Sequence, residues 1–147
     1  MIKIIILADS YKHFENAVKE YEKRLGKNIE IIKLKPVKTG NIIQKETELL
    51  KKYLVKQNWY KIVLNPKWKN IDTKEFYNLV EEKKIEYKNI IFIIWWAYWI
   101  DYKNLQNQIN YELNLGKMTM PHSLALLVLI EQVYRVDMIK KWSSYDK

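Results

Sequence analysis

The amino-acid sequence predicts an α/β fold in which a parallel sheet carries helices on both faces. Three observations predict it. Short runs such as Ile2–Ala8 and Asn89–Ile94 are almost wholly apolar, with no polar face to turn to water, as strands buried on both sides require. Between them lie longer stretches whose apolar residues recur every three or four positions, the period of a helix. Strands and helices that alternate along a chain pack as a parallel sheet between helical layers.

In order, Ile2–Ala8 is the first strand, and Asp9-Ser10 is placed to cap the helix after it. Phe14, Ala17, Val18, Tyr21 and Leu25 form that helix's buried face, and Gly26 ends it. Ile29, Ile31, Ile32, Leu34 and Val37 make the second strand. Ile42–Gln57 is an amphipathic helix with Ile43, Leu49, Leu50, Tyr53 and Leu54 inward; its charges, Glu46 included, read as a solvated face. Tyr60–Leu64 is the third strand. Asp72-Thr73-Lys74-Glu75 fits a capping box, so a helix starts there, with Phe76, Leu79 and Val80 inside. Asn89–Ile94, the most apolar strand, belongs at the centre of the sheet. Asp101–Tyr111 reads as a polar helix and Glu112–Met120 as a short fifth strand.

The last helix follows Pro121-His122 and opens with seven consecutive apolar residues, Leu124–Ile130. Such a start leaves no polar side for solvent, so something must cover it. A second copy of the chain is the simplest cover, which predicts a homodimer.

The 147 residues suit one domain, 1–147. With no cysteine and two histidines, neither a disulfide framework nor a metal cluster is expected. No apolar run approaches the ~20 residues of a membrane span, and the N-terminus lacks a signal-peptide pattern. The expected location is the cytoplasm. A net charge of +9, from 26 basic and 17 acidic residues, favours a polyanionic partner, RNA first; a lysine-rich, AT-biased genome accounts for it equally well.

Lys117-Met118-Thr119-Met120-Pro121-His122, followed by Leu129-Ile130-Glu131-Gln132-Val133-Tyr134-Arg135, resembles the C-terminal signature of small SPOUT methyltransferases that modify a pseudouridine of large-subunit ribosomal RNA. Lys3-Ile4-Ile5-Ile6-Leu7-Ala8 and Glu20-Tyr21-Glu22-Lys23-Arg24-Leu25-Gly26 fit the same family. The resemblance implies an α/β knot, a deep trefoil, and a homodimer in which S-adenosylmethionine donates a methyl group to N3 of a pseudouridine in the assembled ribosome. It implies donor contacts at Leu64, Trp95, Leu115, Gly116, Lys117, Met118, Thr119 and Met120. From the residues alone, Leu64, Leu115 and Met118 are plain core. There is no GxGxxG, which disfavours a dinucleotide-type methyltransferase fold.

One stretch departs from the family. Where it has Ile-Gly-Gly-x-x-Gly, this chain reads Ile94-Trp95-Trp96-Ala97-Tyr98-Trp99. Glycine lets backbone approach a ligand closely, and an indole would fill the donor's space. Trp68 and Trp142 also stand at family glycines, and Trp59 at a turn where glycine is ordinary. The chain has six tryptophans and three glycines, far fewer than the ~7% glycine of an average protein. One hypothesis accounts for all of this: a gene that reads UGA as glycine, translated with a code that reads UGA as tryptophan. UGG codons at Trp95, Trp96 and Trp99 would refute it. The rival reading is a catalytically dead ribosome- or RNA-binding relative whose Trp cluster stacks bases; a third is an aromatic patch at a subunit interface.

N3 methylation needs the two reactants positioned and the ionised base favoured. Arg135 is the candidate cation, with a helical ion pair to Glu131 as its alternative role. Tyr145 lies in a tail, Ser143–Lys147, similar to the family's Tyr-His-Lys ending, and is the second catalytic candidate. Asp146 replaces that His, and Leu126 replaces a usual Arg. His122 is read as a contact to RNA or a second subunit, or as a helix cap.

Overall fold

In the computed structural model, which describes residues 1–56, 58–95, 102–105 and 107–142, five strands form one parallel sheet. β1 (Ile2–Leu7) pairs with β2 (Ile29–Leu34) on one side and β4 (Ile90–Ile94) on the other. β3 (Tyr60–Leu64) pairs with β4, and β5 (Tyr111–Leu113) closes the edge, giving the order β2-β1-β4-β3-β5. β4 is central, as its composition predicts.

The two-residue period of each strand divides the apolar side chains between two cores. Ile4, Ile62 and Phe92 face α1 (Glu15–Leu25), α3 (Thr73–Tyr87) and α5 (His122–Lys141). Ile5, Val63, Ile91 and Ile93 face the other way, under Leu50 and Leu54 of α2 (Ile42–Val55) and Leu105 of the short α4 (Tyr102–Leu105). Helices therefore cover both faces.

Local chemistry sets the helix ends. Asp72 accepts from the Glu75 amide at 2.7 Å and Glu75 accepts from the Asp72 amide at 2.8 Å, so the capping box of α3 is complete. Gly26 ends α1 at φ +58°, a backbone conformation that suits glycine. Asn41 caps α2 through the Gln44 amide.

Several expectations need correction. Asp9-Ser10 caps no α-helix: a 3-10 turn, Lys12–Phe14, intervenes and α1 begins at Glu15 without a side-chain cap. Ala17 is exposed, because the buried stripe of α1 runs through Val18 and Leu25. Val37 lies beyond β2, and its amide donates to Glu46 at 2.9 Å. Glu46 is therefore buried, with that amide as partner, rather than part of a solvated face, while Ile43 and Tyr53, expected inward, are exposed. The expected polar helix over 101–111 is only the four residues of α4, and β5 ends at Leu113 because the chain then turns into a loop ahead of α5.

On α5, no residue from His122 to Ile139 is fully exposed, and Leu124, Leu127 and Val128 are half-buried. Leu126, where the resembled family has Arg, is wholly buried in the first core. Among the described residues no helix is long and apolar enough to cross a membrane.

Candidate functional site

Ligands of open α/β sheets bind beyond the carboxyl ends of the strands. The ends of β3, β4 and β5 lie side by side here, and the chain segments leaving them surround a cavity of about 170 Å³. Leu64, Asn65 and Pro66 form one wall, Ile94 and Trp95 the floor, and residues 113–116 and 118–120 the other wall. His122 and Ala125 close it from the first turn of α5.

Seven of the eight expected donor contacts come together in this cavity: Leu64, Trp95, Leu115, Gly116, Met118, Thr119 and Met120. Lys117 does not line it and borders the neighbouring groove instead. The walls are mostly apolar side chains and main chain. That chemistry suits a nucleoside held by backbone groups, but the volume falls below the ~300 Å³ at which small-molecule pockets begin.

Trp95 is 3% exposed and packs with Ile5, Leu7 and Leu34 in the second core, so it borders the cavity without closing it. Its indole N–H is buried with no hydrogen-bond partner among the described residues, and an orphaned buried donor costs about 1–3 kcal/mol. Trp96, Ala97, Tyr98 and Trp99 lie outside the described residues, as do Tyr145 and Asp146. Left-handed backbone is not what distinguishes Trp59, Trp68, Trp95 or Trp142. Among the described residues positive φ occurs only at Lys12, Gly26, Gly40 and Lys88. Trp142 ends α5 at φ −135°, where a side chain is unstrained.

Asn114 organises both walls, and neither composition nor spacing singles it out. It is 3% exposed. Its side-chain amide donates to the carbonyls of Pro66 at 3.1 Å and Trp68 at 2.8 Å and to the Asn70 side chain, while its oxygen accepts from the Gly116 amide at 2.9 Å. The loop after β3 and the loop after β5 are thus tied together through one residue.

His122 caps no helix. Its Nδ1 lies 3.1 Å from the Leu7 carbonyl, fastening the start of α5 to the end of β1. A carbonyl only accepts, so that nitrogen carries the proton. Burial holds the ring's pKa below the ordinary histidine value, against the opposing pull of the Leu7 carbonyl. The ring is therefore neutral at pH 7, with Nε2 as an acceptor.

Arg135 pairs with Glu131 at 2.7 Å, one turn away on α5. Ten helical residues separate it from Ala125 at the cavity, about 15 Å along the axis at 1.5 Å per residue. No side chain spans that within one chain. Among the described residues no His, Asp or Glu cluster could hold a metal ion.

Residues 1–146 match the family described as Predicted SPOUT methyltransferase. The chain is 33% identical to the ribosomal RNA large subunit methyltransferase H of Streptococcus equi subsp. zooepidemicus, over 92% of this chain and 91% of that protein. It is 35% identical to the protein of that name from Clostridium botulinum and 33% identical to a putative one from Methanococcus vannielii, each over 92% of both chains.

Proposed function

The chain belongs to the SPOUT methyltransferase family, and from that premise we propose that it methylates N3 of a pseudouridine in 23S ribosomal RNA of the assembled ribosome, using S-adenosylmethionine. One observation carries the reading: in a chain of that family, seven residues expected to hold the donor converge on a single cavity beyond the central strand ends. When bound, the donor supplies an electrophilic methyl group. Leu64, Leu115, Met118 and Met120 would contact its apolar parts, and the main chain around Gly116 and Thr119 would meet its polar edges. The protein's task is then to align the base nitrogen with the methyl and to favour the ionised base.

Arg135 serves that second task on the cavity of a second copy, since its own is out of reach. The half-buried Leu124 and Val128 on α5 support such a homodimer. Tyr145 is assigned to the substrate side of the same site. The reading includes a trefoil knot at the C-terminal segment, a cytoplasmic location and no metal.

It also includes glycine in the native protein at Trp59, Trp68, Trp95, Trp96, Trp99 and Trp142. The orphaned Trp95 N–H supports this. The experiment is methyl transfer to ribosomes from a strain lacking the modification, using protein with all six changed to glycine. Methylated N3 is expected. Absence of product, with ribosome binding retained, would replace the enzyme by a non-catalytic ribosome binder, and the gene's own codons would show which protein the cell makes.

A further inference from the structure

Beside the cavity, and sharing Pro66 and Asn114 with it, runs a second groove of about 530 Å³. Lys67, Trp68, Lys69 and Asn70 form one side, and Asn114 and Lys117 the other. All three lysines are exposed, and no carboxylate is among the described lining residues. Asn114 occupies the Pro66 and Trp68 carbonyl oxygens, which would otherwise oppose an incoming anion. The groove adjoins the cavity: Pro66 and Asn114 line both, and Lys117 on the groove is flanked in the chain by Gly116 and Met118 of the cavity.

We propose that this groove holds the sugar–phosphate backbone of the RNA strand flanking the nucleotide presented to the cavity. Lys67, Lys69 and Lys117 neutralise its phosphates. The proposal rests on the RNA substrate assigned above. It does not depend on which residue occupies position 68, since the lysines and Asn114 carry the charge pattern.

Three phosphate contacts on single-stranded RNA steepen the salt dependence of binding by about 2 log units per log unit of salt. The contribution of such a slope at 0.15 M salt, relative to 1 M, is a factor of about 50. The test is co-sedimentation of the full chain with purified 70S ribosomes at fixed magnesium, between about 50 and 200 mM salt. K67A/K69A/K117A is compared with K51A/K52A/K56A, which removes the same charge from the exposed lysines at and beyond the end of α2. The groove variant is expected to lose about 2 from the slope and about 50-fold in affinity, and the α2 variant to keep the wild-type slope. A groove variant with the wild-type slope, or an equal loss in both variants, overturns the proposal.

Methyl transfer by the glycine-restored protein separates this from the functional reading. If transfer occurs and the groove variant keeps the wild-type KM for ribosomes, the groove is wrong and the enzyme stands. If binding depends on the groove but no methyl is transferred, the groove stands and the enzyme is wrong.

Discussion

Replacing Asn114 with leucine would remove an amide whose two N–H groups serve three oxygens and whose own oxygen accepts from Gly116, at a residue that is 3% exposed, while keeping its approximate bulk. Three main-chain groups, the Pro66 and Trp68 carbonyls and the Gly116 amide, would lose a partner. Each would cost about 1–3 kcal/mol if it stayed buried. Pro66 and Trp68 belong to exposed residues, so water can reach their carbonyls once the loop relaxes; Gly116 is only half-buried. The net loss should therefore be about 2 kcal/mol, nearer to one full orphan than to three. In urea, with a slope of about 1–3 kcal/mol per molar, the midpoint should fall by about 1 M. Asn114→Asp should cost at least as much, since it retains the acceptor for Gly116 but sets a carboxylate against three oxygens. A midpoint shift below ~0.3 M for Asn114→Leu would refute the idea that this side chain holds the two loops together.

Asp72→Ala should cost about 1 kcal/mol by removing the N-cap of α3, measured in the same urea titration; Glu75→Ala should cost less, because the Asp72 acceptor survives. His122 is neutral in the fold with its pKa lowered chiefly by burial. The unfolded chain therefore takes up a proton first, and the neutral ring's contribution to stability is lost as pH falls below about 6.5 toward the lower folded value. His122→Gln should flatten the stability profile in that window; an unchanged profile would mean that the ring titrates normally. Glu46→Leu should lower stability by about 1–3 kcal/mol, because the Val37 amide loses its buried acceptor, whereas Glu46→Gln should be nearly neutral.

What the sequence makes legible is whatever depends on neighbours along the chain. Tyr60–Leu64 and the box at Asp72 and Glu75 stand where their own patterns place them, because strand composition and capping are local. Glu46 misleads because a helical charge is ordinarily solvated, and only the return of the chain at Val37 buries it. The stretch 101–120 misleads for a related reason: its weak helical and strand signals yield to the loops that wrap the strand ends. The cavity wall at Leu64, Leu115, Gly116 and 118–120 is legible through the family resemblance, whereas Asn114, which braces that wall, has no local mark beyond being a polar residue between two leucines. Arg135 could be singled out by motif, but its separation from the cavity appears only once α5 is laid out as a straight rod.

The register of β1 has a consequence for how the polypeptide is made. Ile2 aligns with Ile29 on one side and with Ile90 on the other, and the terminal ammonium reaches Asn89 at 3.1 Å. During synthesis the first hairpin-free pair can assemble early, but one of its borders stays unfilled until almost two-thirds of the polypeptide has emerged. An open border of Ile and Leu is a template for the wrong neighbour, and such distant pairing is intrinsically slow. Nascent chains halted before Ile90 has emerged from the ribosome should therefore be chaperone clients prone to aggregate, and those halted once Ile94 has emerged much less so.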